Sequence, residues 1–308
     1  MSTEIASAGR IVVGTDGSQR ASKAVEWAAD RAVARKLPLL VVFTMTNANI
    51  LVGEVAGAAA TRQRDQLRET LKQLEQLPDN LRAVFPGLDV SSVVVEGTPA
   101  EVLAQASRDA ELVVVGARGE TAPLGVRLLG GVSDAVAAHS VGPVAVISDD
   151  AHENPGGPVV VGVDDSEPSR AAVRLAFDAA TVRGVPLIMY SAFPYGSADV
   201  SRYSDPAKHN PYSEEHRQQI TAEVLELAAD EIAAHPDVPV EVRVEWGRPQ
   251  DVLVEASRQA GLLVVGSRGR GGFRGLLLGS TSKHVIRAAH CPVIITRGQD
   301  AEGRPLSV

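Results

Sequence analysis

The sequence has little of several features that mark particular classes of protein. One cysteine, Cys291, stands among 308 residues, which excludes an intramolecular disulfide framework and a multi-cysteine zinc site. No apolar run reaches the roughly 18 residues needed to span a bilayer, and the first residues lack the basic and apolar regions of a signal peptide. The formal net charge of −8 argues against a broad basic surface for nucleic acid. We therefore expect a cytoplasmic protein that binds neither membrane nor nucleic acid.

What the sequence does contain is an internal repeat. The segment Gly97–Gly119 recurs as Gly247–Gly269 with 14 identities in 23 positions, at an offset of 150. The opening Ile11–Ser18 corresponds to Val159–Ser166 in the same way. Self-similarity of this kind indicates a tandem duplication of a unit of about 145 residues.

Length and repeat together predict the domain organisation. At roughly 100–200 residues per domain, a chain of 308 residues suggests two domains. The repeat predicts a first domain at 1–149 and a second at 159–308. The stretch between them, 150–158, is polar and rich in proline and glycine, which is typical of a linker.

Each copy alternates short apolar runs with segments of helical period. In the first copy the run 11–15 precedes Ala21, Val25, Ala28 and Ala32, which fall on one face of a helix. The apolar runs are continuous, as expected of strands buried on both faces of a parallel sheet. We predict an α/β fold in each copy, with helices on both faces of the sheet. Ligands of such sheets bind beyond the carboxyl ends of the strands.

A glycine-rich loop follows the fourth predicted strand of the second copy. Gly266 and Gly269 flank a turn off that strand, where a missing Cβ lets the backbone approach a ligand closely. Gly279-Ser280-Thr281 then opens a predicted helix, whose free N–H groups and positive dipole end suit a phosphate. Three cations lie in the same stretch: Arg268, Arg270 and Arg274.

Two common phosphate-binding motifs are absent from the sequence. It contains no G-x-x-x-x-G-K-[ST], which excludes a P-loop. Its first strand-to-helix turn reads Gly-Thr-Asp-Gly-Ser rather than G-x-G-x-x-G, so a dinucleotide-binding interpretation fits poorly. Taken alone, Gly266 and Gly269 could be ordinary turn glycines; the full arrangement of strand, glycines, hydroxyls and helix is more specific.

The spacing Gly266-x2-Gly269-x9-Gly279-Ser280, with Asp164 at the end of the first strand of its copy, resembles the ATP-binding pattern of the universal stress protein family. The resemblance covers both copies and nearly the whole chain, as in tandem-domain members. It implies two tandem doubly wound α/β domains, each with a five-stranded parallel sheet of order 3-2-1-4-5. It also implies ATP at the strand ends and pairing of domains through the final strands.

The resemblance further implies which residues lie beside the nucleotide. In the second copy they are Asp164, Ala192, Gly266, Arg268, Gly269, Gly279, Ser280 and Thr281. In the first copy they are Asp16, Thr44, Gly116, Gly119, Gly130, Gly131 and Ser133.

The first copy departs from the pattern. Ten residues, not nine, separate Gly119 from Gly130, and Gly131 stands where the second copy has Ser280. Glu120 replaces a cation and would repel a triphosphate. We therefore hypothesise that the second copy binds ATP well and the first weakly or not at all. The alternative is that the extra residue bulges outward and both sites fill.

These features favour a nucleotide-dependent regulator of stress or growth, acting through an unidentified protein partner and assembled as a homodimer with domain pairing within each chain. The alternative is an enzyme on the same scaffold, either a slow ATPase or a nucleotidyl or phosphoryl transferase. The sequence offers no nucleophile–histidine pair and no dedicated metal cage that would support efficient catalysis. A third hypothesis is a pure assembly module in which nucleotide is incidental.

Three other features have less specific interpretations. Asp164 and Asp165 could hold Mg²⁺ through water, or Asp165 could be a turn residue at a helix start. The tyrosine-bearing segment 194–211 could be a lid, an interface or a surface excursion. His209 and His216 are expected to be exposed, and Cys291 to be a buried structural residue.

Overall fold

The structure is a computed structural model that describes residues 5–45, 58–117, 129–149, 151–152, 154–193, 214–269 and 277–298. The chain divides into two compact units, Met1–Asp149 and Asp150–Val308. Residues of the predicted linker belong to the second unit in this division. Arg183 holds them there, because its guanidinium donates to the carbonyl oxygens of Asn154 and Pro155, each at 3.1 Å.

The first unit is a five-stranded parallel sheet with helices between the strands. Its strands are β1 (Ile11–Thr15), β2 (Leu39–Met45), β3 (Val90–Glu96), β4 (Leu112–Gly116) and β5 (Val144–Ile147). Its described helices are α1 (Gln19–Arg35), α2 (Ala58–Val84), α3 (Pro99–Ala106) and α4 (Gly131–His139). The strand order is β3-β2-β1-β4-β5, with parallel pairing throughout.

The second unit repeats this architecture. Its strands are β6 (Val159–Gly162), β7 (Leu187–Phe193), β8 (Val240–Trp246), β9 (Leu262–Gly266) and β10 (Val293–Thr296). Its described helices are α5 (Glu167–Arg183), α6 (Glu214–Leu227), α7 (Ala229–Ala234), α8 (Pro249–Ala256) and α9 (Ser280–Ala288). The order β8-β7-β6-β9-β10 and the parallel pairing confirm the predicted doubly wound fold of order 3-2-1-4-5 in both units.

Local sequence explains where the first helix of each unit begins and ends. Ser18 and Ser166 cap α1 and α5, each accepting a hydrogen bond from the backbone N–H three residues on, at 3.2 and 3.4 Å. Both helices end on a residue with left-handed backbone, Lys36 at φ 54° and Gly184 at φ 62°. The caps direct each chain out of its strand and back over the sheet.

The central strands supply most of the core. Most residues of β1, β2 and β4 in the first unit, and of β6, β7 and β9 in the second, are buried. The edge strands β3 and β8 are only partly buried, because one side has no neighbouring strand. Phe177, on α5, is fully buried and stacks on His235 with 5.6 Å between ring centroids. The predicted continuous apolar runs are therefore the strands buried on both faces.

His216 corrects one prediction from the sequence. It was expected to be exposed, but it is 6% exposed and stacks on Trp246 with ring centroids 6.0 Å apart. His216, Ile220 and Val224 are four residues apart, so they form the face of α6 that packs on the sheet. Because the residues next to His216 in the sequence are polar, the sequence did not indicate that His216 belongs to this buried face. His209 and the segment 194–211 lie outside the described residues.

Cys291 is 1% exposed, which confirms that it is a buried residue. Burial raises the pKa of its thiol to about 12, so almost no thiolate forms near neutral pH. We expect the native protein to resist thiol-alkylating reagents at mildly alkaline pH, and the denatured protein to react with one equivalent per chain. Mass spectrometry before and after denaturation measures both. Rapid alkylation of the native chain would contradict the buried position.

Among the helices of the described segments, none combines the length and the apolar character needed to cross a membrane.

Candidate functional site

The second unit has a cleft of about 420 Å³ at the carboxyl ends of its strands. Its apolar and neutral wall is formed by Val163, Ser191, Phe193, Ile220, Val224 and Leu227. Its charged lining consists of Asp164, Asp165, Arg170, Glu223 and Glu226. The cleft therefore lies between the strand ends and α6, where a ligand of a doubly wound sheet is expected.

The second strand meets this cleft through alternate residues. Ser191 and Phe193 line it, whereas Ala192 lies between them on the other face of β7. Of the residues around Ala192 that the resemblance implies, the two neighbours of Ala192 are the ones that line the cleft. Side chains alternate between the two faces of a strand. The sequence would therefore have separated Ser191 and Phe193 from Ala192 if the face toward the cleft had been known.

Asp164 is fixed by the turn between β6 and α5. Its Oδ1 lies 2.6 Å from Ser166 Oγ and 3.2 Å from Ser166 N, both of which donate to it. Its own backbone N–H donates to Ser169 Oγ at 3.1 Å. The carboxylate is half-buried and held at one end, so its second oxygen keeps a defined direction.

Asp165 adopts the backbone of a turn residue. Its φ is 61°, and its carboxylate pairs with Arg170, Oδ1 to Nη2, at 2.5 Å. The first unit has Gly17 at this position with φ 78°. The shared left-handed conformation agrees with the turn interpretation. Within the residues that the structure describes, no group of three or more His, Cys, Asp or Glu could hold a metal ion.

The two loop glycines, Gly266 and Gly269, lie where an added Cβ would collide with the start of α5 or with the Asp164 carboxylate. A Cβ on Gly266 would lie 2.8 Å from the carbonyl carbon of Pro168, at the start of α5. A Cβ on Gly269 would overlap Oδ2 of Asp164. A side chain at Gly269 would require the Asp164 carboxylate to shift, so glycine at this position lets the loop backbone pass close to the carboxylate. Arg268 is half-buried, and its carbonyl oxygen is 3.3 Å from Ser166 Oγ.

Helix α9 begins beside the same loop. Gly279 caps it without a side chain, and its N–H donates to Ser267 O at 2.7 Å. Ser282 Oγ donates to Gly266 O at 2.6 Å, which ties the first turn of the helix to the end of β9. Ser280 is exposed and Thr281 half-buried, and the first turn carries no acid. The helix therefore presents N–H groups and a positive dipole end.

The first unit repeats these backbone contacts. Gly130 N donates to Ala117 O at 2.7 Å, and Ser133 Oγ donates to Gly116 O at 2.5 Å. Ser133 therefore corresponds to Ser282, and its hydroxyl holds α4 on the end of β4. Gly131 opens α4 with no side chain to offer. Gly119, Glu120 and the rest of 118–128 lie outside the described residues, as do Arg270 and Arg274.

Among the described residues, the first unit has a smaller cleft in a comparable place. It measures about 160 Å³ and lies between the end of β1, α1 and α2. Thr70 on α2 narrows it, because its Cγ2 is 2.6 Å from where a Cβ on Gly17 would stand. Asp16 is exposed, with Oδ1 accepting from Ser18 N at 3.0 Å, and Thr44 is half-buried at the end of β2. The two units therefore share a loop framework but differ in the room beside it.

Fold and clefts together define a tandem pair of doubly wound α/β domains with clefts at the strand ends. A family model described as "Universal stress protein family" matches residues 8–148 and 157–297. The chain belongs to the universal stress protein family. A universal stress protein of Mycolicibacterium smegmatis is 35% identical over 293 residues, covering 93% of this chain and 96% of that protein. One of Mycobacterium tuberculosis is 38% identical with the same coverage.

A solved structure shows the same fold. The crystal structure of a universal stress protein from Archaeoglobus fulgidus aligns with a TM-score of 0.65 at 22% identity. The alignment covers 95% of this chain and 99% of that one. At this identity the likeness shows the shared tandem architecture.

Sequence reasoning missed two of the five residues that α6 contributes to the cleft. They are Glu223 and Glu226, whereas the helical spacing of Ile220, Val224 and Leu227 in the sequence already indicates one apolar helix face. Arg297 was missed as well. It follows β10, is 7% exposed, and donates from Nη1 to Leu277 O at 2.9 Å. The sequence did contain a signal for Arg297. It is an arginine directly after an apolar strand, at a position where the first copy has no arginine.

Proposed function

We propose that this chain binds ATP in its second unit and acts as a nucleotide-dependent regulator of stress or growth. The observation that carries the proposal is that the Asp164 carboxylate, which lines the cleft, lies against the Gly269 backbone, in a loop that the Ser282–Gly266 hydrogen bond ties to the N-terminus of α9. Each offers a group that one part of ATP requires. The cleft wall with Phe193 and Val224 suits an adenine ring, and a fixed carboxylate suits ribose hydroxyls. The start of α9 suits phosphates.

Occupancy would act through the elements that the nucleotide bridges. The Asp164 turn belongs to α5, Gly269 to the loop after β9, and Ser280 to α9. A ligand that contacts all three shifts the protein toward the arrangement it binds best, and a partner protein could read that shift. The proposal also includes a cytoplasmic site of action and a homodimer. Measurement of the native mass would test the homodimer.

The first experiment counts the nucleotide that the purified protein carries. The chain is purified without added nucleotide and denatured, and released nucleotide is identified and quantified by chromatography and mass spectrometry. We expect about one ATP per chain, because the cleft beside Thr70 is too small to match the second. Two ATP per chain would show that the first unit also fills. ADP alone would favour the slow ATPase, and an empty protein that binds no added ATP would contradict the proposal.

A matched pair of substitutions tests the assignment to the second unit. We expect Asp164→Asn to lower ATP affinity by about 10- to 100-fold, since hydrogen bonds to a charged acceptor contribute about 1.5–3 kcal/mol. The amide still accepts from Ser166, so the turn should persist. Asp16→Asn makes the same change in the first unit and should leave the main affinity unchanged. Calorimetric titration measures both; equal effects would contradict the assignment.

A further inference from the structure

A second cation of the second unit lies beneath the proposed phosphate end of the site. Arg297 follows β10 at the carboxyl edge of the sheet and is 7% exposed. Its Nη1 donates to Leu277 O at 2.9 Å, two residues before the cap of α9. Ser267 N donates to Thr296 O at 2.7 Å, so the end of β10 also contacts the residue before Arg268. Arg297 therefore connects the start of α9 with the loop that carries the glycines.

Arg297 and Arg268 act on each other electrostatically. The pKa of Arg297 is lowered to about 10, first by burial and second by the positive charge of Arg268. The Arg297 guanidinium therefore remains protonated near neutral pH. Among the residues that the structure describes, the side chain of Arg268 forms no ion pair. Two cations in a poorly solvated position repel each other, and an anion placed between them and α9 relieves that cost.

The first unit has no arginine at the position that corresponds to Arg297. Counting from the matched prolines Pro143 and Pro292, the position of Arg297 is occupied by Ser148. The two units therefore differ in charge beneath the loop as well as in cleft size. Charge at this position is a property of the second unit alone.

We propose that Arg297 is a positioning residue that, together with Arg268, makes the second unit select nucleoside triphosphates over nucleoside monophosphates. The inference rests on the proposed function, since it concerns the phosphate end of the same site. Arg297 acts in two ways: it fixes the Leu277 carbonyl before α9, and its charge strengthens the field at Arg268. A triphosphate, with its larger charge, gains more from that field than a monophosphate does.

The test compares ATP with AMP on the full chain, in magnesium-free buffer with a chelator so that no metal screens the phosphates. We expect Arg297→Met to weaken ATP binding by about tenfold and to leave AMP binding within about twofold, with a smaller salt dependence for ATP. Arg297→Lys keeps the charge and should keep most of the ATP-to-AMP preference. Arg258→Met removes an exposed arginine of the same unit, paired with Glu255, and should change neither ligand.

The outcomes separate the inference from the function on which it rests. If the unaltered chain binds neither nucleotide, the proposed function fails. If it binds ATP but Arg297→Met leaves ATP unchanged, or weakens ATP and AMP equally, only the selectivity role is overturned. Equal losses would mean that Arg297 merely holds the loop. If Arg297→Met does not fold, Arg268→Met decides, because that half-buried side chain should give the same selective loss of ATP.

Discussion

Replacing Ser280 with glutamate is expected to lower ATP affinity by about 100-fold while the free energy of unfolding stays equal or rises slightly. Ser280 is the first residue of α9 and is exposed, and the first turn of that helix holds no acid. A carboxylate there interacts favourably with the helix dipole, by about 0.3–1 kcal/mol. The same carboxylate repels a triphosphate bound at the helix start, and about 2.7 kcal/mol of repulsion is enough for a 100-fold loss. Opposite signs for stability and binding are the signature of a phosphate site.

Two control variants make this result specific. Ser280→Gln has nearly the same size without the charge and should lose less than about fivefold, since backbone N–H groups remain available. Gly131→Glu makes the corresponding change at the start of α4 in the first unit and should leave ATP affinity unchanged. Titration of each variant with ATP, together with thermal unfolding, gives both quantities. If glutamate and glutamine act alike, crowding rather than charge is responsible, and the phosphates do not lie at α9.

Replacing Gly266 with alanine is expected to lower the free energy of unfolding of the second unit by about 1–3 kcal/mol and to weaken ATP binding with it. The new Cβ would meet the carbonyl carbon of Pro168 at 2.8 Å, and this neighbour is backbone that cannot rotate away. Relief requires α5 to move from β9, which also moves the Asp164 turn. A single methyl group thus disturbs two sides of the cleft.

The adjacent residue provides the matched control. Ser267→Ala installs the residue that the first unit has there, Ala117, and Ser267 Oγ has no hydrogen-bond partner among the described residues. Stability should stay equal or rise, because an unsatisfied buried hydroxyl is removed. Denaturant unfolding followed by Trp246 fluorescence in a Trp27→Phe background reports on the second unit, since the chain has two tryptophans. If Gly266→Ala proves as stable as Ser267→Ala, the close approach to Pro168 is not obligatory.

The sequence by itself determined the repeat, the order of strands and helices, and the loop that carries the proposed phosphate site. These features are local or repeated at fixed spacing. Ser18 and Ser166 cap helices because the backbone N–H groups that donate to their hydroxyls are only three residues further along the chain. Continuous apolar strands require a sheet buried on both faces, whatever the rest of the chain does. For such elements a short window of sequence contains the pattern that identifies them, although tertiary packing supplies most of their stability.

Only the tertiary structure decided which side chains meet beside that loop. Helix periodicity identified the apolar face of α6 but not its docking position, so it left His216 seemingly exposed and Glu223 unrecognised. Thr70 narrows the first-unit cleft against Gly17, and Arg297 reaches Leu277, across separations of 53 and 20 residues. Such contacts depend on how whole elements pack, and packing energy is shared among many residues far apart in the chain. Two copies with related but not identical loops therefore differ in cleft size and in the charge beneath the loop.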